Sequence, residues 1–211
     1  MTYSNDVRII INSMIAFILY SLGVALAIST LLLDIIWLKH GVYEYSITEI
    51  SQELALLLIT IIFVRLAFKY EVQRNAHILI AGFFFCLLIR ELDSFFDLIT
   101  HGFWLYPALF VSIIALAMTF LRNPKLTIHQ LAKYTQQPHY IYMMAGLICI
   151  LVFSRLFGMG ILWKALLNEN YSRDIKNIAE EGPELLGYVF CTISTLFYCR
   201  FFIKSQNKQS A

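Results

Sequence analysis

Charge is what this sequence has least of. Asp, Glu, Lys and Arg make up 14% of its 211 residues, against roughly a quarter in ordinary soluble domains. No polar segment is long enough to bury a core of its own, which argues against a soluble domain anywhere in the chain. Cysteine is also scarce. Cys86, Cys149, Cys191 and Cys199 all sit inside apolar runs, none in a loop and none in a CxxC. They read as small core residues and not as a disulfide framework or zinc site. No Ser-His-Asp order, GxSG, P-loop or GxGxxG is present. The ExxH pairs of ferritin-like di-iron bundles and the HxxxH of ceramidase-like membrane hydrolases are missing too. The net charge is +2, with the basic residues scattered near helix ends, so no nucleic-acid partner is expected.

Hydrophobic sequence fills the space. Apolar residues make up 59% of the chain, and the mean hydropathy is +0.70. A helix needs about 20 mostly apolar residues to cross roughly 30 Å of hydrocarbon. Runs of that length recur, and the chain reads as a single all-α domain over 1–211, a polytopic bundle of six transmembrane helices in a lipid bilayer. The expected spans are about 9–33, 47–68, 76–99, 103–121, 140–163 and 184–203. The first, Ile9 to Leu33, carries no charge and is too long for a signal-peptide core, so it reads as a retained helix. Ser46 and Glu49 open the second as a capping box. An amphipathic lead-in from Ser172 precedes the sixth, where Pro183 is expected to kink the helix.

Lys and Arg gather in the loops after spans two and four and in the tail: Arg65, Lys69, Arg74, then Arg122, Lys125, Lys133, then Arg200, Lys204, Lys208. The loop about 164–177 dilutes this bias with Lys164, Arg173 and Lys176. The bias predicts both termini in the cytoplasm and the loops about 35–46, 99–102 and 164–177 outside. Trp37, Trp104 and Trp163 fall at the outer span ends, as an interfacial belt requires. No internal repeat is evident, which weakens an inverted-repeat transporter.

Against that apolar background, the segment LIRELDSFFDLITHGFW stands out. Arg90, Asp93, Asp97 and His101 are spaced by three and four residues, so a continuous helix would align them on one face. Glu49 and Glu53, then Glu180, Glu181 and Glu184, enter the same outer layer from spans two and six, and Arg155 enters from span five. A charge facing lipid costs roughly 2.5–3.5 kcal/mol on insertion scales, so these faces are expected to point inward. Several members have ordinary structural explanations: Glu49 as the capping-box acid, Glu91 as an interfacial or locally paired residue, Glu180 as a solvated one, His101 as an interfacial or capping histidine, Arg90 and Arg155 as counter-ions. Glu53, Asp93, Asp97 and Glu184 outnumber the arginines, and surplus carboxylates imply protons, a cation or a cationic substrate.

Three chemistries fit. One is a divalent cation such as Mg, Mn or Zn held by Glu53, Asp93, Asp97, His101 and Glu181, zinc being the least favoured. Another is acid–base catalysis by Asp93, Asp97 and Glu184 on a lipid or lipid-linked substrate, with Arg90 and Arg155 binding its phosphate. The third is a proton- or cation-coupled carrier. The leading expectation is a metal-assisted enzyme at the outer leaflet, and the alternatives are the carrier and a non-catalytic accessory subunit whose charges pair with one another. Arg90 is expected to find Glu53 or Glu184.

The pieces IRELDSFFD, HGFW, FSRLFGMGILW and KNIAEEGPELLGY resemble a group of small multi-helix inner-membrane proteins of Gram-negative bacteria whose activity is uncharacterised. The resemblance covers spans three to six and the acid pair of span two. It implies a bacterial inner-membrane location and carries no activity, cofactor or catalytic residue.

Overall fold

The computed structural model describes residues 3–38 and 46–209, with side chains over 6–38 and 46–207. The 39–45 part of the first expected loop, Lys39 included, and the last two residues of the tail lie outside the described residues. All described secondary structure is helical. Ten α-helices follow in order: α1 Tyr3–Leu32, α2 Ile47–Lys69, α3 Arg74–Glu91, α4 Asp93–Asp97, α5 Leu105–Leu116, α6 Pro124–Thr135, α7 Tyr140–Ile148, α8 Ser154–Phe157, α9 Gly160–Leu167 and α10 Arg173–Gln209. Short π-helical stretches extend α1 (Leu33–Leu38) and α5 (Ala117–Leu121) and join α7 to α8 (Cys149–Phe153). Among the described residues, five helical segments are long and apolar enough to cross a membrane: α1, α2, α3, α7–α8 and α10. The α5–α6 pair makes a sixth if counted as one span, although it is bent by 105°.

Asn123-Pro124 makes that bend. Asn123 is extended, at φ −158° and ψ 90°, and its side chain accepts from Leu126 N at 3.0 Å. Proline then occupies the first turn, where its missing N–H costs nothing. The expected loop after span four therefore contains a helix. α6 is amphipathic: Thr127, Gln130 and Tyr134 are buried while Leu126 and Ile128 are exposed. Gln130 Oε1 accepts from the amides of Asn75 (2.8 Å) and Ala76 (3.3 Å), and Gln130 Nε2 donates to Val72 O. A side chain of α6 thus caps the start of α3, satisfying donors that a helix N-terminus always leaves open.

The core is built from α2, α3, α7 and α10: Leu56, Ile59 and Phe63 against Phe84 and Leu88, Met143 and Ile150, and Tyr188, Cys191 and Tyr198. α7 and α10 meet backbone to backbone. A β-carbon on Gly187 would lie 2.6 Å from Gly146 O, and one on Gly146 would lie 2.6 Å from Gly187 O. Only glycine at both positions permits that approach, a common device of helix pairs that lack large knobs. α1 is held more loosely. Among its described side chains only Ala27, with Asp34 in the π-helical extension, is buried. α10 runs unbroken from Arg173 through Pro183, so the lead-in and the sixth span are one helix. Span five is shorter than expected and stops at Phe157; Gly158 and Met159 separate it from α9.

The largest departure from the sequence reading concerns span three. It ends at Glu91 and not near residue 99. Leu92 leaves the helical region at φ −85° and ψ 21°, and Asp93–Asp97 forms a separate short turn of helix. The 3.6-residue register therefore does not carry from Arg90 to Asp93, and the expected common face of Arg90, Asp93, Asp97 and His101 does not form.

Candidate functional site

The end of α3, α8 and the first half of α10 bring Arg90, Glu91, Arg155, Lys176, Glu180 and Glu184 together. Glu184 is their centre. Its side chain is 1% exposed, and its Oε1 receives both Arg90 Nη2 and Arg155 Nη2 at 2.6 Å. Each arginine has a second acid. Arg90 Nη2 also reaches Glu91 Oε1 at 2.5 Å, and Arg155 Nη1 binds Glu180. The chain extends at both ends: Tyr188 donates its hydroxyl to Glu91 at 2.7 Å, and Lys176 Nζ lies 2.5 Å from Glu180 Oε2. The order is Tyr188, Glu91, Arg90, Glu184, Arg155, Glu180, Lys176, with charges alternating along it.

Local structure explains how these groups meet. Lys176, Glu180, Glu184 and Tyr188 are spaced by four on α10, so they fall along one stripe. Arg90 and Glu91 occupy the last turn of α3, and Arg155 sits in the single turn of α8. Gly158 lets α8 approach α10 closely, since a β-carbon there would lie 2.7 Å from Glu180 Cβ. Glu181 faces α2 instead: Gln52 Nε2 donates to its Oε2 at 3.0 Å and to its carbonyl at 3.2 Å.

Of the residues expected to form the site, the structure joins Arg90, Arg155 and Glu184; Glu180, read as solvated, is instead paired with Arg155 and Lys176. The Arg90 partner is Glu184, one of the two acids expected. Glu53 is half-buried and makes no hydrogen bond or ion pair among the described residues, though it lies near enough to Glu91 to feel its charge. Asp93, Asp97 and His101 are exposed beyond the end of α3. Asp97 and His101 keep a local contact: His101 Nδ1 lies 2.7 Å from Asp97 Oδ2, and Gly102 N donates to Asp97 Oδ1 at 2.8 Å. The Gly102 amide, and after it His101, holds the Asp97 carboxyl below the usual carboxylate range. Gly102 has φ +79°, a conformation natural to glycine, and that frees its amide for Asp97.

No three His, Cys, Asp or Glu side chains among the described residues come together as a metal-holding group. Of the expected ligand set of Glu53, Asp93, Asp97, His101 and Glu181, Asp97 bonds to His101 and Glu181 to Gln52 among the described residues, and no step is assigned to a divalent cation.

The sequence reading fell short at three participants. Glu91, read as interfacial or locally paired, does pair with its neighbour Arg90, but its bond from Tyr188 on α10 was not foreseen. Tyr188 lies one turn beyond Glu184, and that spacing was the available signal. Asp34 is the third. It is 1% exposed, and its carboxylate accepts from Ile47 N (2.9 Å), Thr48 N (2.8 Å) and Thr48 Oγ1 (2.6 Å). With Ser46, which accepts from Glu49 N at 3.1 Å, it closes the start of α2. An acid ending one helix shortly before the next begins was the signal, because helix N-termini attract anions.

Between this layer and the far end the bundle centre is apolar, through Leu56, Ile59, Phe63, Phe84 and Cys191. The next large polar pair is His77 with Tyr198, 2.8 Å apart and enclosed by Phe63, Tyr134 and Phe202. Between the two layers Thr60, Thr192 and Thr195 bond to carbonyls of their own helices, and Ser194 donates to His139 O. Comparison with protein-family models, with curated proteins and with solved structures found no match.

Proposed function

We propose that the chain is a six-span membrane protein of a bacterial inner membrane, a non-catalytic subunit whose charged layer clamps three of its helices together. The observation that carries this reading is the sharing of Glu184 by Arg90 and Arg155, each with a further acid of its own. Guanidinium groups engaged in this way are occupied as counter-ions and are not free to hold a substrate phosphate. The apolar stretch between Tyr188 and Tyr198 argues against a carrier, which needs a polar route through the bundle.

A second reading is kept for one reason. Glu53 is half-buried with no partner among the described residues, beside the acidic Glu91, and that favours acid–base or cation-assisted chemistry on a lipid or lipid-linked substrate. Melting the purified protein in EDTA and in Mg²⁺, Mn²⁺ or Zn²⁺ separates the two. The clamp reading expects the same Tm in all of them. A cation-dependent rise that disappears in Glu53→Gln would favour the second.

Orientation rests on the unpaired basic residues. Lys69, Arg122, Lys125, Lys133, Arg200 and Lys204 stand at the end opposite the charged layer and make no ion pair among the described residues. At the charged end, Lys176 is neutralised by Glu180, so the loop that diluted the bias counts for less. Both termini are accordingly assigned to the cytoplasm. Lys204→Cys, with the four native cysteines replaced by alanine, should resist a membrane-impermeant maleimide in intact cells and react after lysis. Ready labelling of intact cells would reverse the orientation.

A further inference from the structure

A cavity of about 620 Å³ lies between α2, α3 and α5, toward the end opposite the charged layer. Ligand sites usually occupy about 300–1,000 Å³. Small residues create the space: Ala67, Ala81, Gly82 and Ala115 form its floor. Gly82 sits so close to α5 that a β-carbon there would lie 2.8 Å from Ala115 Cβ. The rim is apolar and open to the surroundings, with Phe68 82% and Phe110 66% exposed. At one end the lining changes character, to Arg74, Asn75 and Arg122.

The two arginines are available to an anion. Arg74 donates through Nε to Ala67 O at 3.1 Å, which fixes its stem against the cavity wall. Its Nη2 lies 3.1 Å from Glu71, whose side chain is 83% exposed. Such a solvent-screened pair is weak and readily exchanged for another anion. Arg122 is exposed and makes no ion pair among the described residues. An apolar slot open to the bilayer and closed at one end by two guanidinium groups matches one amphiphile. It has a hydrocarbon tail and a phosphate at its end, which guanidinium groups bind in a forked geometry.

We propose that this cavity binds an anionic phospholipid, one acyl chain lying over Ala81, Gly82 and Ala115 and the phosphate held between Arg74 and Arg122. The proposal rests on the membrane reading given above and is independent of the clamp.

The test is native mass spectrometry of the full chain in detergent, with phosphatidylglycerol and phosphatidylcholine of identical chains added in equal amounts. Phosphatidylglycerol should be retained over phosphatidylcholine by roughly fivefold or more, the scale on which one basic residue favours an anionic lipid. R74Q/R122Q should retain the two lipids equally. V111F, which fills the slot from α5, should lower retention of both. R122Q alone guards against a folding defect, since it strands no partner, and it should weaken the preference by itself. Equal retention by the wild type, or an unchanged preference in R74Q/R122Q, would overturn the proposal. Glycerol 3-phosphate competing as well as the lipid would also overturn it, by assigning the arginines to a soluble phosphate. Flotation with phosphatidylcholine vesicles separates the two levels. Failure to float overturns the membrane reading and the lipid site together, whereas flotation without a lipid preference overturns the lipid site alone.

Discussion

Glu184→Gln should lower the stability of the folded protein by roughly 3–5 kcal/mol, the usual cost of removing one partner from a buried ion pair. The change is nearly isosteric, so packing is preserved and only charge is lost. Both Arg90 and Arg155 then face a neutral amide where a carboxylate stood. Arg90 is the more damaged, because its side chain is 26% exposed while that of Arg155 is 40% exposed and can turn toward water. Thermal unfolding in detergent reads the effect directly. A wild-type Tm would show that the arginines are solvated and that the clamp does not hold the bundle. Because Arg155 shares Glu184 with Arg90 and keeps Glu180, adding Arg155→Gln to Glu184→Gln should cost less than the two single changes summed. Such coupling between neighbours is what a double-mutant cycle isolates.

The same arrangement shows why much of the layer was legible in the sequence. Charges in a hydrophobic chain must be neutralised, and their spacing by four on α10 fixes a stripe. That was enough to give Arg90 an acid from another helix, Glu184, and to require a carboxylate for Arg155, though Glu180 was read as solvated. What failed was the assumption that α3 continues. Nothing in RELDSFFD forbids a helix outright, since it contains neither glycine nor proline. The break at Leu92 leaves Asp93, Asp97 and His101 exposed beyond the end of α3. Tertiary context overrides local propensity here. α6 was missed for a related reason: in a chain this apolar, an amphipathic helix of low mean hydropathy looks like a loop beside the spans. Its Asn-Pro start is an ordinary helix signal.

Asp34→Ala should be the second severe change, and it lies outside the alternating ion chain. Asp34 has no arginine or lysine partner among the described residues. Its charge is met by the amides of Ile47 and Thr48 and by the Thr48 hydroxyl, at the positive end of α2. Hydrogen bonds to a charged group contribute about 1.5–3 kcal/mol each, and buried donors left empty carry their full desolvation cost. Water cannot easily replace the carboxylate at a side chain 1% exposed. A loss of about 3 kcal/mol or more is therefore expected. Asp34→Asn keeps one acceptor oxygen and should lose less, while turning an amide donor toward donors already there. The consequence extends to α1. It has few buried side chains of its own, and the Asp34 bonds tie its end to α2. Hydrogen exchange should show faster exchange at Ile47 and Thr48 in Asp34→Ala, with protection in α3 and α10 kept. Unchanged exchange at those two amides, together with a wild-type Tm, would mean that Ser46 caps α2 unaided and that α1 is held by its packing on α10.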